Sequence, residues 1–402
     1  LLETNIAAEA MEFSQEPIPE KKSALSVKRH GSDTPFRNHE VIQQYIEDLV
    51  NRNGYEKLVH YSTTVEQIKK NGKWELILRK EVGDQDYWWK EEYDAVIDAS
   101  GHYSVPFIPH IEGLAKFAKA YPGSVEHTKS FRGAQKYKGK VRRPHNALTF
   151  AHDSQRVVTV GASISGPDVA AALAGVTESP LHSVVRGKYH PYFGDWAFRN
   201  PHIQRHPPIS HITDRTVFFE DGASVPDVDH VILGTGYSWT MHFLPELTIK
   251  NNRIPGLYQH VFYMSDPTLL FVGAVAAGFT FKVFEWQAVL AARFLAGRVK
   301  LPPVEKQKKW EQDRIEEKGN GVAFTALYPR FEEYFEEIRE LAGEPKGGEK
   351  GRELPKFDKK WRENFDAAHL KRIAMWQELN RQAEQQLGEN GLNIARSDVL
   401  DW

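Results

Sequence analysis

The run Arg156-Val157-Val158-Thr159-Val160-Gly161-Ala162-Ser163-Ile164-Ser165-Gly166-Pro167-Asp168-Val169-Ala170-Ala171-Ala172-Leu173 leaves its backbone few options. An apolar, β-branched stretch ends at Gly161, and an alanine-rich stretch begins after Gly166. That pattern predicts a buried strand, a tight turn and a helix, the opening of a dinucleotide-binding βαβ unit. Gly161 permits the sharp turn, and Gly166 lets the helix lie close against the strand. The first amides of such a helix have no intrachain acceptors, and the helix dipole adds partial positive charge, so a pyrophosphate is the natural ligand. Pro167 suits a first helical turn and Gly175 a helix stop. Gly161, Ser163, Ser165, Gly166 and Asp168 are the candidate binding residues of this corner. A turn of this kind, with Ser163 in place of the middle glycine, also occurs as a plain strand–helix corner.

The residues that follow narrow the ligand. A second apolar strand at 181–186 ends in Arg186, with Lys188 just beyond. An NAD-specific site places Asp or Glu there for the ribose hydroxyls, whereas a guanidinium suits the 2′-phosphate of NADP. A solvated strand-end cation is the alternative for Arg186; the reading adopted is NADP(H). Composition removes other chemistries. The 402 residues include no cysteine, which excludes disulfides, a thiol nucleophile, Cys-ligated zinc and a CxxC redox pair. Net charge is −2, and no basic tract is dense enough for nucleic acid. The longest apolar run, 269–278, is too short to be a transmembrane segment. The first five residues lack the charged region and apolar core of a signal peptide. The expectation is a cytoplasmic protein. His202, His206 and His211 do not read as a metal site, because Pro207-Pro208 breaks any common helical face and no carboxylate joins them.

Residues 1–36 read as loop with a short amphipathic piece at 7–13, and Val41, Tyr45, Ile46, Leu49 and Val50 predict a helix over 38–53. A short strand at 58–62 precedes an antiparallel meander at 64–69, 74–80 and 86–92, turning at Asn71-Gly72 and Gly83-Asp84. A buried strand is expected at 94–101. Its pattern, Asp-x-Val-Ile-x-x-Ser/Thr-Gly, recurs at 229–236, again behind a hairpin signal (216–220 with Asp221-Gly222). The repeat predicts two nucleotide-binding units, each closing with this strand. A buried strand at 271–274 and a helix at 284–295 follow. Beyond Leu301, charged tracts at 304–318, 330–342 and 360–387 predict a helical appendage in which Trp361, Phe365 and Trp376 pack.

With both units in view, the chain resembles a flavin-containing monooxygenase of the fungal type, a class B flavoprotein monooxygenase. The most specific stretch is Tyr121-x-Gly123-x-x-x-His127-x-x-x-Phe131, which departs from the family fingerprint Phe-x-Gly-x-x-x-His-x-x-x-Phe/Tyr only at its first aromatic. Baeyer–Villiger relatives carry Trp followed by Pro or Asp where this chain has Phe131-Arg132, which favours oxidation at a heteroatom over oxygen insertion beside a ketone. The resemblance also covers Thr4-Asn5, residues 100–106, Thr235-Gly236-Tyr237 and Phe284-Glu285-x-Gln287-Ala288. It implies an α/β fold of two Rossmann-like dinucleotide-binding domains with an α-helical C-terminal extension. An NADP domain (111–240) would be inserted in an FAD domain (1–110 and 241–300), and the extension would occupy 301–402. It implies FAD and NADP(H) as cofactors, dioxygen and a small-molecule substrate with a soft nitrogen or sulfur, and a flavin C4a-hydroperoxide as oxidant. A non-catalytic NADP-binding remnant and a Baeyer–Villiger enzyme are the alternatives. Asn5 would be the catalytic amide, able to donate to a peroxide oxygen without protonating it; a cap or turn role is its alternative. Thr4, Val65, Ser100, Gly101, His127, Thr235, Gly236, Tyr237, Phe284, Glu285 and Gln287 would join Asn5, Arg186 and the Gly161 corner in holding cofactors. His127 reads equally as a satisfied buried imidazole, and the 284–287 residues as helix packing. A homo-oligomer is left open.

One departure stands out. The family's first Gly-x-Gly-x-x-Gly, for the FAD pyrophosphate, belongs ahead of Thr4, where only Leu1-Leu2-Glu3 stand. The glycines at 347, 348 and 351 lie in a charged linker with no strand before them. The expectation is a fragment of a larger enzyme, with NADP(H) binding better preserved than flavin binding and an unpaired sheet interior exposed.

Overall fold

The computed structural model describes residues 3–138, 155–276, 278–345 and 351–397, with side chains to residue 388. The chain opens with α1 (Ala8–Met11), α2 (Ala24–His30) and α3 (His39–Arg52). Asn38 caps α3 by accepting the Glu40 N–H. The region of α2 reads as loop in the sequence because it has little apolar periodicity; a single cap, Ser23 accepting from the Ser26 N–H, starts it. The meander is β1 (Thr63–Asn71), β2 (Lys73–Val82) and β3 (Gln85–Tyr93), antiparallel throughout. The strand expected at 58–62 is absent: a 3₁₀ turn covers Glu56–Leu58, and Leu58 is exposed. Next come β4 (Val96–Asp98) and β5 (Val105–Pro106).

The second unit comprises α4 (Leu114–Ala120), β6 (Val125–His127), β7 (Val157–Val160), α5 (Ser165–Leu173), β8 (Leu181–Val184) and β9 (Ile203–His206). It continues through antiparallel β10 (Ile209–Thr213), β11 (Thr216–Phe219) and β12 (Ser224–Val225) to β13 (His230–Leu233) and β14 (Tyr237–Ser238). Five strands form one wholly parallel sheet in the order β6-β13-β7-β8-β9. The chain then makes β15 (Leu257–Tyr258), β16 (Phe262–Tyr263) and β17 (Leu269–Phe271), then α6 (Phe281–Leu295), α7 (Val304–Lys318), α8 (Phe331–Ala342) and α9 (Lys359–Ser397). β17 ends where the sequence placed a strand start, because the turn at Gly273 (φ +90°) breaks the extended run. This is the mixed α/β architecture of two Rossmann-type units expected above.

The repeated octapeptide occupies two different settings. β13 lies between β6 and β7, and Ile232 is 0% exposed. Among the described residues β4 pairs only with β17, at the end of the order β15-β16-β17-β4, and the matching Ile97 is 42% exposed. The expected burial of that strand is therefore corrected: pattern alone does not tell a central strand from an edge strand.

The C-terminal helices are not an appendage. Phe331, Tyr334, Phe335 and Ile338 of α8 share a core with Trp286 and Leu290 of α6, and Phe365 and Ala368 of α9 join it. Trp376 of α9 is buried in the other core, against Phe193, Phe198 and Leu173. Aromatic packing was expected there; its role in joining the two cores was not.

Candidate cofactor site

The two units are joined where the chain crosses between them. β5 and β14 pair antiparallel, Tyr237 opposite Pro106, so the outgoing and returning strands make one short ribbon. Just before it, the Thr235 hydroxyl donates to the Phe107 carbonyl at 2.5 Å and the Phe107 N–H to the Gly236 carbonyl at 2.9 Å. This ribbon sits beyond the carboxyl ends of β13 and β6, where open parallel sheets present ligand crevices.

The corner at Gly161 is built from three glycines. A Cβ on Gly166 would lie 2.0 Å from the Gly161 carbonyl oxygen, and one on Gly161 would lie 2.3 Å from that of Gly234. Gly161 also has φ +115°, closed to other residues. Its N–H donates to the Val184 carbonyl (3.0 Å) and that of Gly234 to Val160 (2.7 Å), locking the ends of β7, β8 and β13 together. α5 begins at Ser165, so Gly166 and Pro167 lie inside its first turn rather than before it. Ser163 is exposed and Ser165 half-buried. Arg186 is exposed beyond the end of β8 and makes no side-chain hydrogen bond or ion pair among the described residues. Asp168 is engaged, its carboxylate accepting from the Arg372 guanidinium of α9.

A second group lies at the ribbon. His127, at the end of β6, is buried; its Nδ1 accepts from the Lys129 N–H (3.1 Å) and its ring meets Tyr237 edge-on at 5.2 Å. Burial holds its pKa below the ordinary histidine value, so it is neutral at pH 7. Tyr237 contacts Tyr103 at 5.5 Å, and His102 stacks on Trp239 at 4.6 Å. Gly101 (φ +75°) and Trp239 line a narrow crevice, too tight to hold a water molecule, with Asp98, Phe271, Val272, Gly273 and Ala274, at the carboxyl ends of β4 and β17. Asp98 accepts the Ser100 N–H at 3.1 Å, and burial raises its pKa.

The α6 residues serve this turn indirectly. Gln287 Oε1 accepts the Gly273 N–H (2.8 Å) while its Nε2 donates to the Tyr334 hydroxyl (2.8 Å). The Phe284 ring lies 3.3 Å from where a Cβ on Gly273 would stand. Glu285 accepts from the Ser14 N–H (2.7 Å), the Ser14 hydroxyl (2.9 Å) and the Arg352 guanidinium. Val65 of β1, opposite Leu78, packs against the hydrophobic core that contains Trp239. Thr4 pairs with Arg37 through its N–H (2.8 Å) and hydroxyl (3.2 Å), and the half-buried Asn5 side chain makes no hydrogen bond among the described residues. The structure thus gathers the candidates into a glycine corner, a ribbon group and a Gly273 group, with Thr4-Asn5 on the adjoining N-terminal segment. Sequence reasoning missed Gly234, His102, Trp239 and Arg372. Gly234 stood inside the repeat and could have been found by asking what packs on Gly161; Arg372 carried no signal.

A parallel five-stranded sheet and a mixed four-stranded sheet meeting at a crossing ribbon, with a glycine-built strand–helix corner on the first, define a two-nucleotide-domain oxidoreductase fold. The chain belongs to the family described as flavin-binding monooxygenase-like, whose model matches residues 3–190 and 200–345. It is 25% identical to flavin-containing monooxygenase ustF2 of Aspergillus flavus, over 92% of this chain and 76% of that protein. It is 30% identical to trimethylamine monooxygenase of Methylocella silvestris, over 72% of this chain and 61% of that one, so it spans under two thirds of that relative's length. The structure of S-allyl-L-cysteine S-oxygenase from Allium sativum superposes with a TM-score of 0.72 at 22% identity, covering 96% of this chain and 84% of that one. No described helix is long and apolar enough to cross a membrane.

Proposed function

We propose that this chain binds NADP(H) at the Gly161 corner and works, with FAD, as a monooxygenase that oxygenates a soft nitrogen or sulfur of a small molecule. The observation carrying the reading is the three-glycine corner, whose close backbone packing seats the N-terminus of α5, without a side-chain cap, at the end of β7. Those residues fit a dinucleotide, and the exposed Arg186 fits its 2′-phosphate. Relatives named for trimethylamine and for a cysteine S-oxygenation support the soft nucleophile.

The flavin fits only in part. The crevice beside Gly101 and Gly273 offers backbone groups at the right sheet edge, but no enclosed room for a flavin ring as it stands. The turn into α6 also carries Gly278, but the Phe365 ring occupies the space beside it, and no pyrophosphate cradle for FAD lies among the described residues. When bound, NADPH supplies a hydride and flavin activates dioxygen. This chain's residues do the positioning: Gln287 fixes the Gly273 turn, and the β5–β14 ribbon sets one sheet edge against the other. The Asn5 amide, which makes no hydrogen bond among the described residues, suits donation to a reacting oxygen.

Oxygen uptake and NADPH oxidation, measured with added FAD and either a tertiary amine or a thioether, test this. Substrate-dependent consumption of both supports the reading. NADPH binding with no oxygen chemistry under any of these additions points instead to a nucleotide-binding role alone.

A further inference from the structure

The long helix α9 touches the cores of both units and, through Arg372, the first turn of α5. Its inward stripe is Phe365, Ala368, Arg372, Trp376 and Asn380, spaced three or four residues apart. At one end Phe365 stacks on Phe279 (5.2 Å) and meets Phe331 (5.3 Å), both in the α6–α8 core, while Lys371 pairs with Asp33 at 2.5 Å. Further along, Trp376 crosses Phe193 edge-on at 5.2 Å and Asn380 donates to the Trp196 carbonyl at 2.9 Å. Phe193 lies in the segment that follows Arg186. Arg372 sits between these anchors with its side chain 6% exposed. Its guanidinium lies over Phe193 (5.2 Å) and Trp376 (5.3 Å) while Nη2 donates to Asp168.

Asp168 is the acid in the first turn of α5. A carboxylate there suits the helix dipole, yet it opposes any phosphate approaching the same free amides, since like charges this close repel. The stacked guanidinium both cancels that charge and fixes where the carboxylate lies. We infer that Arg372 is a positioning residue of the NADP(H) site. By neutralising and holding Asp168 it leaves the α5 N-terminus receptive to a pyrophosphate, which makes nucleotide affinity depend on the seating of the C-terminal helix. The inference rests on the NADP(H) reading above and adds a residue far along the chain to it.

Titration of the full chain with NADPH, followed by nucleotide fluorescence at low and high salt, tests it. Arg372→Met is expected to weaken binding about tenfold, the loss expected from one unbalanced charge near the ligand, and to weaken it less at high salt. Arg372→Lys, which keeps the charge, should lose about threefold or less by the same reasoning. The decisive variant is the double Arg372→Met/Asp168→Asn. Removing the exposed negative charge should restore most of the affinity, a recovery that mere loosening of α9 would not give. Unchanged binding in Arg372→Met, or a loss that Asp168→Asn fails to repair, overturns this inference alone. A wild-type chain that binds no NADPH overturns the cofactor reading with it.

Discussion

Gly166 has no room for a methyl group, because the atom it would meet at 2.0 Å is the backbone carbonyl of Gly161 and cannot rotate away. Gly166→Ala is therefore expected to push α5 off the end of β7, destabilising the protein by about 1–3 kcal/mol and abolishing measurable NADPH binding. Thermal unfolding and NADPH titration check it; a variant with native melting and native affinity contradicts it. Gly101 makes a useful contrast. Nothing lies within 4 Å of its Cβ position, yet φ is +75°, so Gly101→Ala meets only backbone strain of about 1 kcal/mol. Arg186 tests the choice of nucleotide. With one charge-assisted contact worth roughly 1.5–3 kcal/mol, Arg186→Ala should lower NADPH affinity by about tenfold or more and leave NADH affinity nearly unchanged. At this scale the sequence was informative: the roles of Gly161 and Gly166 follow from the strand–helix corner. Gly234, inside the repeat, was within reach of the same reasoning; that Asp168 faces a guanidinium was not, because Arg372 arrives from a distant part of the chain.

Among the elements, α6 shows how a helix can serve a site it does not line. Its Gln287 side chain satisfies the buried Gly273 N–H and the Tyr334 hydroxyl together. Gln287→Leu strands the Gly273 N–H, while the Tyr334 hydroxyl keeps its bond to the Gln259 carbonyl, an expected loss of about 1–3 kcal/mol for the one buried group left unpaired. Chemical denaturation of the variant measures it, and stability within experimental error of wild type would show that Gln287 is not the clamp described. The bounds of α6, α7, α8 and most of α9 were legible from apolar spacing and charge. Their seating was not, because amphipathic spacing marks a face without naming what covers it. The repeated octapeptide teaches the same lesson for strands. Val231 and Ile232 in β13 are fully enclosed by two neighbours, while their counterparts in β4 have, among the described residues, a neighbour on one side only.

The whole molecule carries an unusual load of enclosed imidazoles. Burial pushes the pKa of His182 and of His190 down to about 4, and those of His102, His127, His206, His230, His260 and His369 downward as well. His182 and His206, on adjacent strands of the parallel sheet, hydrogen-bond each other at 2.9 Å and must share at most one added proton. Between pH 6.5 and 4 the unfolded chain binds more protons than the folded one, so stability rises with pH across that window and is lost on acidification. His182 alone is worth of order 3 kcal/mol at pH 4 relative to pH 7. Urea midpoints should fall steeply below pH 6.5, and His182→Gln should flatten the slope; midpoints independent of pH would remove this account of acid sensitivity. The α/β class with two nucleotide units was legible from two motifs and one repeat. How the units are tied was not, since α9 joins them through Phe365, Arg372 and Trp376, residues whose spacing says only that one face is inward.

The account turns on the Gly161 corner being a nucleotide site, and calorimetric titration of the full chain with NADP⁺ and with NAD⁺ tests that most directly. It predicts one site per chain for NADP⁺, with NAD⁺ weaker by about tenfold or more from the missing Arg186 contact, and no heat of binding in Gly166→Ala. Equal affinity for the two nucleotides, or native NADP⁺ binding in Gly166→Ala, contradicts it.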